Sequence, residues 1–274
     1  MNKRFIFIGC VVLWFLSGCA SVIKKEDILL QAQQIKAAAP PEPAQAFVPA
    51  NFSLPDPEKL VYNAKYLGIT IGQFIIINNG NAMFKGRETY HFELIVKIIP
   101  FFAKILKTKD RYVSYMDRQE LVVLRHEEYV KGGTVLESAV DFDYENHTAS
   151  YKNFIDLREE KVDIPDKTVD VLSGGFYLRM VPWQLGDTVE LKIYADQKIY
   201  DFIGLLHAKT AVNMPSYGRQ EAHSLKPYVF LNEEQIKKIS AEVFFLTTEP
   251  RKCLRAVLKA PVGSVSVVLV EGLK

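Results

Sequence analysis

In "RHEEYV", Arg125 to Val130, a histidine is followed by glutamate, the opening of the helical pair that binds zinc with its glutamate as general base. The second histidine of that pair would fall at position 130, which is valine, and the segment alternates as a strand does. No metal site follows from it. Asp141 and Asp143 in "DFDYE" share one face of a strand, where paired carboxylates can hold a cation or work as acid and base. No glycine-bearing calcium loop accompanies them, so a solvated outer face is expected; a hydrolase of envelope glycans would need such a pair in a cleft. Ser173 lies in "LSGGF", which lacks the Gly-x-Ser-x-Gly pattern of a nucleophile elbow. The histidines at 91, 126, 147, 207 and 223 have no paired ligand spacing, and no glycine loop for phosphate is present. These residues define no catalytic constellation, so the chain is expected to be non-enzymatic, with no metal and no cofactor.

The chemistry that the spacing does specify is covalent attachment. Lys3 and Arg4 precede an apolar run, "FIFIGCVVLWFL", Phe5 to Leu16. Twelve residues are too few to cross a bilayer as a helix, which needs about 20. They suit the apolar region of an export signal. Leu16-Ser17-Gly18-Cys19 then resembles the lipobox of bacterial lipoproteins. That resemblance implies a diacylglycerol thioether on Cys19, cleavage before it and acylation of the new amino terminus. Residues 1–18 would be the signal peptide, and several acyl chains would make the membrane attachment stable. Ala20, where aspartate is the usual inner-membrane retention signal, points to the outer membrane with the body facing the periplasm. Cys10 leaves with the signal and Cys19 is acylated, so Cys253 stands alone and no internal disulfide forms.

The elements behind these residues are short. The 274-residue chain is 49% hydrophobic, an ordinary globular balance, and could bury a sizeable core. Setting Lys3 and Arg4 aside, 32 basic residues face 32 acidic ones, which argues against a nucleic-acid partner. Residues 19–59 read as a tether: a helix-permissive stretch over Lys25–Ala39, ended by Pro40, Pro41 and Pro43, then an extended Pro- and Ala-rich spacer. As a flexible chain it would hold the body about 35 Å from the membrane.

From Leu60 to Lys274 the pattern is one β-rich domain. "NNGN", Asn78–Asn81, reads as a hairpin turn, and "YHFELIVKI" puts Phe92, Leu94, Val96 and Ile98 on one face. Further short strands meander to Leu157. Pro165–Met180 is the best helix candidate, with Gly174 and Gly175 as poor helix formers that would allow close packing on a sheet. Residues Ala211–Leu225 read as a polar loop, and the strands Ile239–Thr247 and Leu254–Val270 close the chain.

Phe142, Tyr144, Phe176, Tyr177, Trp183, Tyr200 and Phe202 gather around the helix candidate and its flanking hairpins. In a curved sheet with a covering helix they form a candidate apolar groove for a lipid-like ligand.

"YLGITIG", "DVLSGGFYLR", "LGDTVELKIYADQKIYDF" and "TEPRKCLRAVLKAPVGSVSVVLVEG" together resemble the bacterial envelope proteins of the domain of unknown function 3108 family, over about Leu60 to Gly272. The resemblance implies a mainly β fold, a single strongly curved antiparallel sheet or incomplete β-barrel with one or two short covering helices, like that of periplasmic lipoprotein carriers. Gly174-Gly175 departs from the family pattern, where bulkier helix formers follow the serine. Two functions are compatible with these readings: binding of an apolar ligand in the curved sheet, or a structural adaptor that binds an envelope protein or glycan through a sheet edge or the Ala211–Leu225 segment.

Overall fold

The computed structural model describes residues 23–39, 54–99, 109–131, 135–182, 184–236, 240–260 and 263–273. The signal segment, Cys19, the Pro-rich stretch after Ala39 and Trp183 lie outside them.

Among the described residues the strands form one sheet of sixteen. They are β1 (Glu58–Tyr66), β2 (Ile69–Phe84), β3 (Arg87–Ile98), β4 (Lys109–Asp117), β5 (Val123–Lys131), β6 (Val135–Asp143), β7 (Thr148–Asn153), β8 (Glu159–Asp163), β9 (Thr168–Asp170), β10 (Thr188–Ala195), β11 (Lys198–Met214), β12 (Gly218–Leu231), β13 (Glu234–Gln235), β14 (Ser240–Leu246), β15 (Cys253–Ala260) and β16 (Gly263–Glu271). The order across the sheet is β8-β7-β6-β5-β4-β3-β2-β1-β16-β15-β14-β12-β11-β10-β9, with β13 beside β12. All pairs are antiparallel except β9 with β10. The sheet is therefore a meander from β1 to β8 and another from β10 to β16, sewn together where β1 meets β16. It is curved and open, because β8 and β9 stand at its two ends without pairing to each other.

Two helices cover it from opposite sides. The first, α1 (Lys25–Ala38), lies outside, with Ile28 and Ala32 packed on Ile203, Leu205 and Phe230. The second, α2 (Val171–Met180), lies inside. Its Leu172, Phe176 and Leu178, with Val169 of β9, pack with Phe92 and Tyr112 from β3 and β4 and with Leu191 and Phe202 from β10 and β11. Those strands are far apart in the sheet order, so they meet only because the sheet wraps around the helix. The run "FIGLL", Phe202–Leu206, is apolar without alternation for the same reason. Phe202 and Leu206 face the inner cluster, while Ile203 and Leu205 face α1.

Several expectations change. The helix is shorter than Pro165–Met180: Thr168–Asp170 pair in parallel with β10 before Asp170 caps the helix. "NNGN" is no turn but a bulge inside β2, with the register shifting between Asn78 and Asn81. Gly80 adopts φ +91°, donates to Asn78 Oδ1 at 3.1 Å, and leaves room for the Asp56 carboxylate that a Cβ would strike. The hairpin turns instead at Lys85-Gly86, both at positive φ. Ala211–Leu225 is likewise no loop, since β11 and β12 run through it and turn only at 215–217. Its β12 part runs from mostly exposed Gly218–Glu221 to buried Ala222–Leu225 without the period of two that marks a strand in sequence. The expected last strand, Leu254–Val270, is the hairpin of β15 and β16. Finally, the helix of the tether is packed on the body, and Leu54 is already in the core, so the folded part begins before Leu60.

Candidate functional site

The interior of the wrapped sheet is where a site was expected, and α2 occupies it. Asp170 caps the helix: its Oδ1 accepts from the amides of Leu172 and Ser173 at 2.7 and 2.9 Å, and its own amide donates to Ser173 Oγ at 3.0 Å. The other carboxylate oxygen accepts from Ser114 Oγ at 2.5 Å and lies 3.7 Å from His126 Nδ1. His126 Nε2 is 3.2 Å from Glu128. The imidazole from "RHEEYV" thus sits in β5 between two carboxylates. Burial would lower its pKa, but the Asp170 charge and the hydrogen bonds to Asp170 and Glu128 outweigh it and hold the imidazole up to about 10. Burial would raise Asp170, and the His126 charge, Ser114 and the helix amides more than reverse that. Nearby, burial lifts Asp110 to about 6 against the weak pull of the Tyr112 hydroxyl, and Asp110 Oδ1 has no hydrogen-bond partner.

Serine, histidine and aspartate within reach invite comparison with a nucleophile set. Here the serine proton goes to Asp170, the serine is fully buried, and the imidazole is held in its cationic form. A base must be neutral to take a proton, so this geometry fixes a helix end and does not activate Ser114.

The far end of α2 is fixed by charge as well. Arg179 makes a two-pronged ion pair with Glu58, at 2.7 and 3.0 Å, and its Nε donates to the Arg251 carbonyl at 3.2 Å. Lys252 lies 3.7 Å from Glu58 and donates to the carbonyl of Gly272 at 2.7 Å. Between the two ends Phe176 stacks on Phe92 with ring centroids 3.7 Å apart.

The aromatic residues expected to form one groove are divided. Phe176, Tyr177 and Phe202 join the cluster around α2. Phe142 and Tyr144 join a second, where Phe142 meets Tyr194 edge-on at 5.3 Å. The Tyr144 hydroxyl lies 2.8 Å from the carbonyls of both Val123 and Thr168, tying β5 to β9. Tyr200 is buried on the same side of β11 as Phe202. A cavity of about 470 Å³ lies elsewhere, lined by Tyr217, Gln220, Leu246, Thr248 and Leu273.

The other candidates have structural partners. Asp141 pairs with Arg125 at 2.8 Å and Lys85 at 3.0 Å, and Asp143 holds the Asn146 turn. His207 sits at a bulge of β11, 3.1 Å from Glu242 and 3.0 Å from Ser224. Cys253 is half-buried and free, and its desolvation pushes the thiol up to about 12. Among the described residues no group of three or more His, Cys, Asp or Glu side chains is placed to hold a metal ion, and no helix is long and apolar enough to cross a membrane. Sequence reasoning missed the Asp170–His126 and Arg179–Glu58 contacts. Their partners are 44 and 121 residues apart in the chain, and the one local signal available was the capping pattern Asp-x-x-Ser at Asp170, which was left unused.

A single antiparallel sheet wrapped around an internal helix defines a β-barrel-like protein that is not closed by hydrogen bonds. The chain belongs to the family described as protein of unknown function DUF3108, whose model matches residues 61–270. Among solved structures it is similar to a β-barrel-like protein of the domain of unknown function DUF1849 from Brucella abortus. That likeness has 9% identity and a TM-score of 0.53, and covers 79% of this chain and 96% of the other. At that identity it speaks for the fold alone. A candidate exported protein with a YmcC-like fold from Bacteroides fragilis (10% identity, 80% and 96% covered) superposes at a TM-score of 0.34. A lipoprotein candidate from Parabacteroides distasonis (8% identity, 80% and 95% covered) does so at 0.35, and neither adds to the fold assignment. Among curated proteins none matches the sequence.

Proposed function

We propose that the chain is an exported lipoprotein, anchored through Cys19 at the outer membrane and facing the periplasm, whose body is a non-enzymatic adaptor of the cell envelope. The observation that carries the adaptor reading is the position of α2. A carrier of apolar ligands needs its interior, and here the interior holds a helix fixed at one end by Asp170 and at the other by Arg179. What remains for recognition is the outside of the barrel. Among the described residues the end strand β8 has one edge without a partner strand, and all its residues but Val162 are exposed. Its charges guard that edge against self-association while leaving its backbone groups for a partner strand. The export and anchoring part rests on the basic start, the short apolar run and Leu16-Ser17-Gly18-Cys19.

Native mass spectrometry of the protein extracted from its own membranes tests this reading. The expected spectrum is the acylated chain alone or with one stoichiometric protein partner. A photoreactive side chain at Lys161 in the living cell should join that partner. A co-purifying apolar ligand that competes with lipid probes would mean that α2 leaves the interior, and the carrier reading would replace the adaptor.

A further inference from the structure

The hairpins of an antiparallel sheet turn alternately at two rims, and the two rims of this barrel differ in chemistry. At the first rim lie the turns β1–β2, β5–β6, β7–β8, β10–β11, β12–β13 and β15–β16. At the second lie β2–β3, β4–β5, β6–β7, β11–β12 and β14–β15. Apart from Leu29 and Leu30 on α1 and Val171 at the start of α2, the large apolar side chains left exposed gather at the first. Leu67 (61% exposed) and Ile69 flank the β1–β2 turn, Val135 opens β6, and Phe154, Ile155 and Leu157 (73%) form the β7–β8 turn. Among the described residues Met83 alone stands at the second rim, whose turns expose Lys85, Glu120, Glu145, Asn146 and His147 instead. The β7–β8 turn is firmly held, since Asn153 Oδ1 accepts from the amides of Ile155 and Asp156 at 2.9 and 3.3 Å. Its apolar residues are presented on a fixed support.

The strand ends at this rim carry both signs of charge, Lys97, Lys131 and Lys198 being exposed there along with Glu159, Asp196 and Glu234, so the apolar turns and not a surplus of basic charge distinguish it. The amino-terminal end of α1 also points to this rim. The Ile23 amide donates to Gln235 at 3.2 Å, and Lys25 pairs with Asp201 at 2.5 Å beside the β10–β11 turn. At the other end of α1 Lys36 pairs with Asp187. Three residues separate Ile23 from Cys19, a reach of no more than about 14 Å in any conformation.

We infer that the first rim is the membrane-facing end of the barrel: its apolar turns rest in the headgroup boundary of the bilayer to which Cys19 is attached. The occupant is the lipid surface, because the anchor leaves the body at this rim with too little chain to reach far from it. The inference rests on the anchoring of Cys19 proposed above.

The test uses the acylated full chain in vesicles of phosphatidylethanolamine and phosphatidylglycerol carrying a doxyl quencher near the headgroup. An environment-sensitive probe is placed on Leu157→Cys or, at the second rim, on Glu145→Cys, each in a Cys253→Ala background so that the half-buried Cys253 takes no label. The expected result is a blue-shifted, quenched probe at position 157 and an unaffected one at 145. In the unacylated Cys19→Ser chain, the triple substitution Leu67→Ser, Phe154→Ser and Leu157→Ser should lower vesicle binding by at least about tenfold. If the acylated chain floats with the vesicles while the probe at 157 stays in water, the inference is overturned and the apolar rim belongs to a protein partner. If Cys19 carries no added lipid mass and the chain does not float, the anchoring reading fails and takes this inference with it.

Discussion

At the scale of single residues, the interior of this protein is held by charges that the sheet hides from water. A buried ion pair stabilises little over an apolar pair of the same shape, but breaking one partner leaves the other charged and stranded. Arg179→Met should therefore cost about 3–5 kcal/mol in urea unfolding. Combining it with Glu58→Leu should recover most of that loss, although Lys252 beside Glu58 will then lack one neighbour. The second network has a pH signature. His126 is held above its unfolded value of about 6.5, so its contribution is complete below that pH and disappears as pH rises through about 10. Asp170 is held below the carboxylate range, so its contribution is lost only as pH falls through that range from about 4. Asp110, raised to about 6, costs stability progressively as pH rises from the ordinary carboxylate value of about 4 to about 6, and no more above it. Stability measured by urea midpoint should be highest near pH 4, fall by about pH 6 and decline again from about 6.5 towards pH 10. Asp110→Asn should flatten the first part of that decline and leave the alkaline limb unchanged.

At the scale of elements, what was legible depended on how many faces an element buries. β3 buries one face, and Phe92, Leu94 and Val96 were assigned to it from alternation alone. The segment 211–225 lacks that alternation in β12, since Gly218–Glu221 are mostly exposed and Ala222–Leu225 buried together, and its Pro215 and Gly218 look like loop residues, so two strands stay hidden in it. The bulge at Asn78–Asn81 reads locally as a turn, and only the Asp56 carboxylate beside Gly80 explains why the chain goes straight on. For the candidate site, Phe176, Tyr177 and Phe202 lie around α2 while Phe142 and Tyr144 fall in another cluster, a division that depends on how far the sheet wraps and that no local pattern encodes. Within α2 the two glycines separate cleanly. A Cβ on Gly174 would come within 3.2 Å of Val169 Cγ2, whereas one on Gly175 meets nothing within 4 Å. Gly175→Ala should stabilise the protein by about 0.5–1 kcal/mol, the helix-interior difference between the two residues. Gly174→Ala should gain less or lose, because Val169 must give way; thermal midpoints of the two variants check the contrast.

At the scale of the whole molecule, and on the anchoring proposed for Cys19, the packing of α1 decides how the body stands on its membrane. A free spacer from Cys19 to Leu54 would let the barrel drift at a height on the order of 30 Å and turn any face to the bilayer. With α1 docked, the free length before the body shrinks to the three residues after Cys19, and both height and orientation are set. The docking rests on few contacts: Ile28 and Ala32 in an apolar seat, ion pairs of Lys25 and Lys36, and Gly186, where a Cβ would strike the Ala32 carbonyl at 2.7 Å. Because α1 lies outside the sheet, Ile28→Asp should undock it while the inner core around α2 persists. On a supported bilayer, neutron reflectometry of the acylated wild type should show the protein layer in contact with the headgroups. The Ile28→Asp layer should be displaced outward by roughly the random-coil reach of the released chain, about 30 Å. Equal layer positions for the two proteins would mean that the body is held to the bilayer by the apolar rim alone, with α1 contributing nothing to its height.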